Sequence, residues 1–226
     1  MNTNLSELKN KVYFRFIMAP IFMGLILFLP AGSLKYWQAW IYCAVLFIPM
    51  FFVISYFLKK DPKLLERRMR LREKEEKQKI IIKLGFIFFF IGFIIPGLDY
   101  RYHWSNVPVL LVIAANAIVF SGYLLFFLVL RENSYASRII EVEKGQKVIT
   151  TGPYSIVRHP MYFGVLLMYL FTPLALGSYW AFVFFLPLLP LIVMRLLNEE
   201  EVLLRELPGY REYCQKTRYH LVPFIW

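Results

Sequence analysis

The sequence predicts an all-α integral membrane helical bundle of about six transmembrane helices, with five as the alternative count. Three observations carry this. Apolar residues make up 59% of the chain, and they gather into blocks of roughly 15–22 residues, the length of a membrane-crossing helix. No stretch alternates apolar and polar residues with period two, as a barrel strand would. The basic residues fall between the blocks on alternate connections, where the positive-inside rule puts cytoplasmic loops.

The blocks in order are about 14–29, 37–58, 80–98, 107–130, 162–176 and 179–197. Their backbone polar groups find no water in lipid, so each must be a helix. Lys9, Lys11 and Arg15 precede the first block, and Leu29-Pro30-Ala31-Gly32-Ser33 closes it. That faintly resembles a cleavable signal, but the further blocks make an uncleaved first span the simpler expectation. The links after blocks one and three carry only Lys35 and Arg101, whereas 59–79 and 131–159 are rich in Lys and Arg. Both termini and the two long links are therefore expected in the cytoplasm. Trp37, Trp104, Tyr179 and Trp180 mark the opposite interface, where an aromatic belt lies. The last two blocks, separated by Gly177-Ser178 and holding Pro173, Pro187 and Pro190, read as a tight hairpin. The basic loop 59–79 mixes both charges with Leu64, Leu65, Met69 and Leu71. It reads either as a helix on the membrane surface, held by membrane lipids, or as a solvated linker.

The net charge of +11 does not imply nucleic-acid binding, because topology already accounts for where the charge sits. Cys43 and Cys214 are too far apart to suggest a disulfide framework or a zinc site. One compact membrane domain is expected, with N-terminal helices over 1–130 and a chemistry-bearing part over 131–226.

Two clusters carry that chemistry. In the first, Gly152-Pro153 is a turn, and Arg158-His159 precede Pro160 at the first position of a helix. A helix start there offers unpaired N–H groups to an anion, with Tyr162 and Gly164 in its first turn. The second cluster is Arg195-Leu196-Leu197-Asn198-Glu199-Glu200-Glu201. Arg195 and Glu199 stand four apart and share a helix face. Ionisable groups at that depth are costly unless paired or functional. The tail from Leu207-Pro208-Gly209-Tyr210 to His220-Leu221-Val222-Pro223-Phe224 has aromatic residues enough to fold back over a pocket or to anchor at the interface.

The pattern GPYxxxRHPxYxG, followed about 30 residues later by RxxxEE and then by LPGYREY and LVPF, resembles the isoprenylcysteine carboxyl methyltransferase family. The resemblance covers roughly 131–226, and related phospholipid methyltransferases share parts of it. It implies a membrane-embedded S-adenosylmethionine site. Carried over by position, Gln146, Lys147, Val148 and Ile149 line that cofactor, with Tyr154, His159, Pro160, Met161 and Tyr162. Glu199 matches the cofactor-binding glutamate and Arg195 the substrate-side arginine, the two forming the catalytic pair. A one-residue gap in the motif leaves open whether Glu199 or Glu200 leads, and nothing carries over for 133–143. No two glycines stand two apart, which removes the GxG element expected of a phospholipid N-methyltransferase and favours carboxyl methylation of a lipophilic acceptor entering from the membrane. An amine-methylating enzyme stays as the alternative, and a sterol-reductase-like enzyme ranks below it. A bacterial or archaeal plasma membrane is expected ahead of the endoplasmic reticulum.

Overall fold

A computed structural model of the protein describes residues 5–70 and 76–226. Helices α1 (Leu5–Ala31) and α2 (Trp37–Lys60) form an antiparallel pair, and the short α3 (Pro62–Met69) follows. Next come α4 (Glu76–Tyr102) and α5 (Val109–Glu132), then a 3₁₀ turn over Gly152–Ser155. The chain ends with α6 (Pro160–Ala175), α7 (Phe182–Phe185), α8 (Leu188–Glu206) and α9 (Tyr210–Lys216). Among the described residues, five stretches are long and apolar enough to cross a membrane, the last joining α7 and α8 over Phe182–Glu206. The fifth block accounts for five spans in place of six. It forms α6, an apolar helix of 16 residues, roughly 24 Å long and so short of a ~30 Å hydrocarbon layer.

The surface helix expected across 59–79 is realised as α3 over its middle, and 71–75 lie outside the described residues. The cause of its start is local. Asp61 caps it by accepting a hydrogen bond from the Leu64 N–H at 3.1 Å, and Pro62 occupies the first helical position. Leu64 and Leu65 are buried against Phe57 and Leu130, so its apolar side faces protein.

Two contacts position the rest. At the end away from the basic loops, the hairpin after α6 closes through Gly177, whose φ is +73°. Gly177 N–H donates to Leu174 O at 3.0 Å and Ser178 N–H to Pro173 O at 2.9 Å, the paired bonds of a helix C-terminal cap. Buried Asp99 then accepts from the Ser105 N–H at 2.7 Å, from Ser105 Oγ and from Ser178 Oγ, tying α4 to that turn. Halfway along, α5 and α6 cross backbone to backbone. A Cβ added at Gly122 would stand 2.7 Å from Gly164 O, and one at Gly164 would stand 2.8 Å from Gly122 O. Counting four residues toward the basic loops along each antiparallel helix from this crossing sets Pro160 level with about Phe126, roughly six residues or 9 Å below the end of α5. The mouth of α6 is thus recessed beneath the basic loops. Gly164→Val should therefore lower thermal stability by roughly 1–3 kcal/mol, as overpacking does. Gly24→Ala, where the nearest atom is 4.0 Å away, should leave the melting temperature unchanged.

Candidate active site

The recessed mouth opens into a cavity of about 610 Å³, in the range of sites that hold small molecules. It has two arms. The polar arm lies under the loop 133–150 and the C-terminal segment, and is lined by Gln146, Lys147, Val148, Ile149, Tyr154, His159, Pro160, Met161, Tyr210 and Tyr213. The apolar arm follows one face of α4, past Ile81, Ile82, Gly85, Phe86, Phe89, Phe90 and Phe93, with Tyr169 and Leu188 also lining it; it is open to the bundle's outer surface at Ile82 and Phe86, 43% and 62% exposed. Phe93, 2% exposed and packed on Phe185, marks its deep end. Arg68, Tyr162, Arg195 and Glu199 also line the cavity, on the elements where the two arms meet.

The loop has no helix or strand over 133–150. What holds it is α3. Arg67 forks onto Glu143 through Nε at 3.0 Å and Nη2 at 2.7 Å, while its Nη1 donates to Ser134 O at 2.8 Å. This bidentate pair holds Glu143 below the usual carboxylate range. Arg70 pairs with Glu141 and Glu143. Arg68 donates to Ser137 O at 3.0 Å and lies over the Phe126 ring. Burial, with Arg138 and Arg195 nearby, lowers its guanidinium to about 10. Sequence reasoning left both α3 and 133–143 without a role. The signal was the mixed-charge run at 66–70, read only as surface chemistry.

At the junction, Tyr162 Oη donates to Glu199 Oε2 at 2.5 Å. Arg195 is held by two acceptors on other elements. Its Nη1 reaches Gln78 Oε1 at 2.8 Å and its Nη2 reaches Arg138 O at 2.7 Å. Gln78, fully buried, is fixed in turn by donating to Asn198 Oδ1 at 2.6 Å. Gln78 is therefore a positioning residue that spacing alone could not find, because it lies 117 positions before Arg195. In the polar arm, Asn133 donates to Tyr154 Oη at 2.8 Å, and Tyr213 Oη donates to Tyr154 O at 2.7 Å. Burial raises the phenols of Tyr154, Tyr210 and Tyr213, so all three are neutral hydroxyls at pH 7.

Gln146 to Ile149, Tyr154, His159 to Tyr162, Arg195 and Glu199 come together around one space. Glu200 does not line it. Its side chain, 7% exposed, lies behind the arm, where Arg158 Nη1 donates to Oε1 at 2.5 Å and His220 Nδ1 lies 2.7 Å from Oε2. Arg158 Nε and Nη2 also cap the carbonyls of Thr217 and Cys214. The backbone N–H groups of Arg158 and His159 pair with the carbonyls of Tyr219 and His220. His220 stacks on Trp226 with ring centroids 5.0 Å apart. The tail is thus folded back, as its aromatic content suggested, and Glu200 is the knot that holds it there. The anion expected at the mouth of α6 is this internal carboxylate, seated on Arg158.

The surrounding fold has known counterparts. Residues 110–210 match the family described as phospholipid methyltransferase, a stretch running from α5 into α9 and including both sequence clusters. No curated protein matches the chain. Among solved structures, the chain is similar to the eukaryotic intramembrane Ras methyltransferase, an isoprenylcysteine carboxyl methyltransferase. The identity is 18% and the TM-score 0.53, over 99% of this chain and 88% of that one. At that identity the likeness is one of fold. With five apolar spans and this fold, the chain is an integral membrane protein, and both likenesses fall in the wider group that its motifs resemble.

Adjacent carboxylates in such different surroundings should respond differently to the same change. Glu200→Ala leaves Arg158 buried without its partner and should destabilise by roughly 3–5 kcal/mol, read as a fall in melting temperature and faster proteolysis of the tail. Glu199→Ala should cost only about 1 kcal/mol, since that side chain lines the cavity and gives up a single hydrogen bond, from Tyr162 Oη.

Proposed function

We propose that this chain is an S-adenosylmethionine-dependent methyltransferase that methylates the carboxylate of a lipophilic, isoprenylcysteine-like acceptor within the membrane. The observation that carries the reading is the single two-armed cavity, polar under the loops and apolar in the bundle, with Arg195, Glu199 and Tyr162 where the arms meet. S-adenosylmethionine, when bound, supplies a methyl group activated by a cationic sulfur. The residues of the polar arm fit such a guest. Glu199 presents a carboxylate to a cation or to hydroxyls, and Tyr154, Tyr162 and Tyr210 present rings to a cationic centre. Gln146, Lys147, Val148 and Ile149 offer backbone donors and acceptors along one wall. His159, Pro160 and Met161 form the wall beneath Tyr154.

An acceptor carboxylate is ionised at neutral pH and needs no base. What the protein must do is orient it and strip its water. Arg195 suits that task, because its planar fork matches a carboxylate and Gln78 and the Arg138 carbonyl already hold it in place. Fixing the fork before the acceptor arrives removes the entropy cost of ordering it afterwards. Tyr162 fixes the Glu199 carboxylate in the same way. The apolar arm takes the acceptor's hydrocarbon, and the basic loops put the polar arm, with both termini, on the cytoplasmic side.

The match of 110–210 to phospholipid methyltransferases favours a second reading, methylation of a lipid amine. That acceptor arrives protonated and needs a base, for which Glu199 with Tyr162 is in reach.

Calorimetry on detergent-purified protein tests the proposal. Wild type should bind S-adenosylmethionine at micromolar concentration. His159→Ala and Glu199→Ala should each weaken binding about tenfold or more, ~1.4 kcal/mol. Arg195→Ala should leave cofactor affinity within about twofold and raise the KM of a prenylcysteine acceptor at least about tenfold. Folded wild type that binds no S-adenosylmethionine would overturn the reading.

A further inference from the structure

We infer that the acceptor's hydrocarbon tail threads along α4, and that the missing side chain at Gly85 sets the tail length the cavity accepts. The inference rests on the lipophilic-acceptor reading above. Glycine inside a helix is less stable than alanine because it gives up more backbone freedom, so a glycine there calls for a cause. The other glycines of α4 have one in packing. A Cβ at Gly92 would meet the Phe185 ring at 2.9 Å, and one at Gly97 would meet Leu27 O at 2.6 Å. A Cβ at Gly85 would meet nothing within 4 Å, and its backbone shows no left-handed φ. Gly85 lines the cavity. What its hydrogen leaves clear is therefore the arm itself.

Position along the helix turns that space into a ruler. Ile81 stands one turn toward the polar end and Phe93 closes the deep end, so the arm extends roughly 18 Å along α4. Gly85 lies about 6 Å below Ile81 and about 12 Å above Phe93. A head group held at Arg195 sends its tail past Gly85 before reaching the Phe89 and Phe93 rings. A side chain at 85 would stop the tail near its first few carbons.

The test uses purified protein and N-acetyl-S-prenylcysteines carrying one to four isoprene units, with their non-reacting amides as binding probes. Wild type should bind the longer tails more tightly. Gly85→Leu should lose at least about tenfold in affinity for tails of two or more units, since each buried CH₂ contributes about 0.8 kcal/mol, while keeping its affinity for the one-unit probe. Gly85→Ala should fall between. Gly24→Leu, a helix glycine with room around it that does not line the cavity, should behave as wild type. A Gly85→Leu protein that folds, melts like wild type and keeps the wild-type tail profile would overturn the inference. Wild type that binds the amides with the Gly85 dependence, yet forms no ester from the acids, would sink the carboxylate reading and leave this inference standing.

Discussion

Hydrocarbon offers no partner to a backbone amide, and that constraint organises everything else in this molecule. It makes every long apolar block a helix and drives irregular backbone to the two ends of the bundle. The two ends then solve different problems. Away from the basic loops, Asp99, Ser105 and Ser178 satisfy one another and close the turns, so polarity there is consumed by structure. At the other end, the loop 133–150 and the C-terminal tail are held by ion pairs with α3 and with Glu200, and a cavity remains between them. Chemistry sits where the polar groups bind one another at the rim and leave the centre open.

The short α6 is what brings that chemistry within reach of the membrane. Its glycine crossing with α5 fixes its depth, and the crossing is available only because neither helix has a side chain at the contact. A longer helix would have raised His159 and Tyr162 to the level of the loops. Recessed as they are, they face both a polar arm that opens under the cytoplasmic-type loops and an apolar arm that follows α4. A reaction between a water-borne cofactor and a lipid-borne acceptor needs such a meeting point.

Glu199 and Glu200 show how far sequence could go. The motif identified the pair but could not divide its work, because adjacent residues on a helix point about 100° apart and spacing does not say which direction faces the cavity. Packing decides it, with Glu199 turned to the open junction and Glu200 to Arg158 and His220. Arg195 and Glu199, four apart, were legible as one face. Gln78, which holds Arg195, was not, because it comes from the start of a distant helix. Likewise the charges of α3 were visible as a run, but their partners Glu141 and Glu143 lie some 70 positions away.

By itself the sequence determined the solvent, the helical class and the residues of the two motif clusters. Each of these follows from local composition or from spacing along one helix. Only the tertiary structure decided that one span is short, that the tail is knotted by Glu200, that α3 clamps the loop, and that α4 supplies a cavity face interrupted at Gly85. Those features depend on groups far apart in the chain meeting in space, and on what is absent at the contact as much as on what is present. Periodicity and motif spacing record neither.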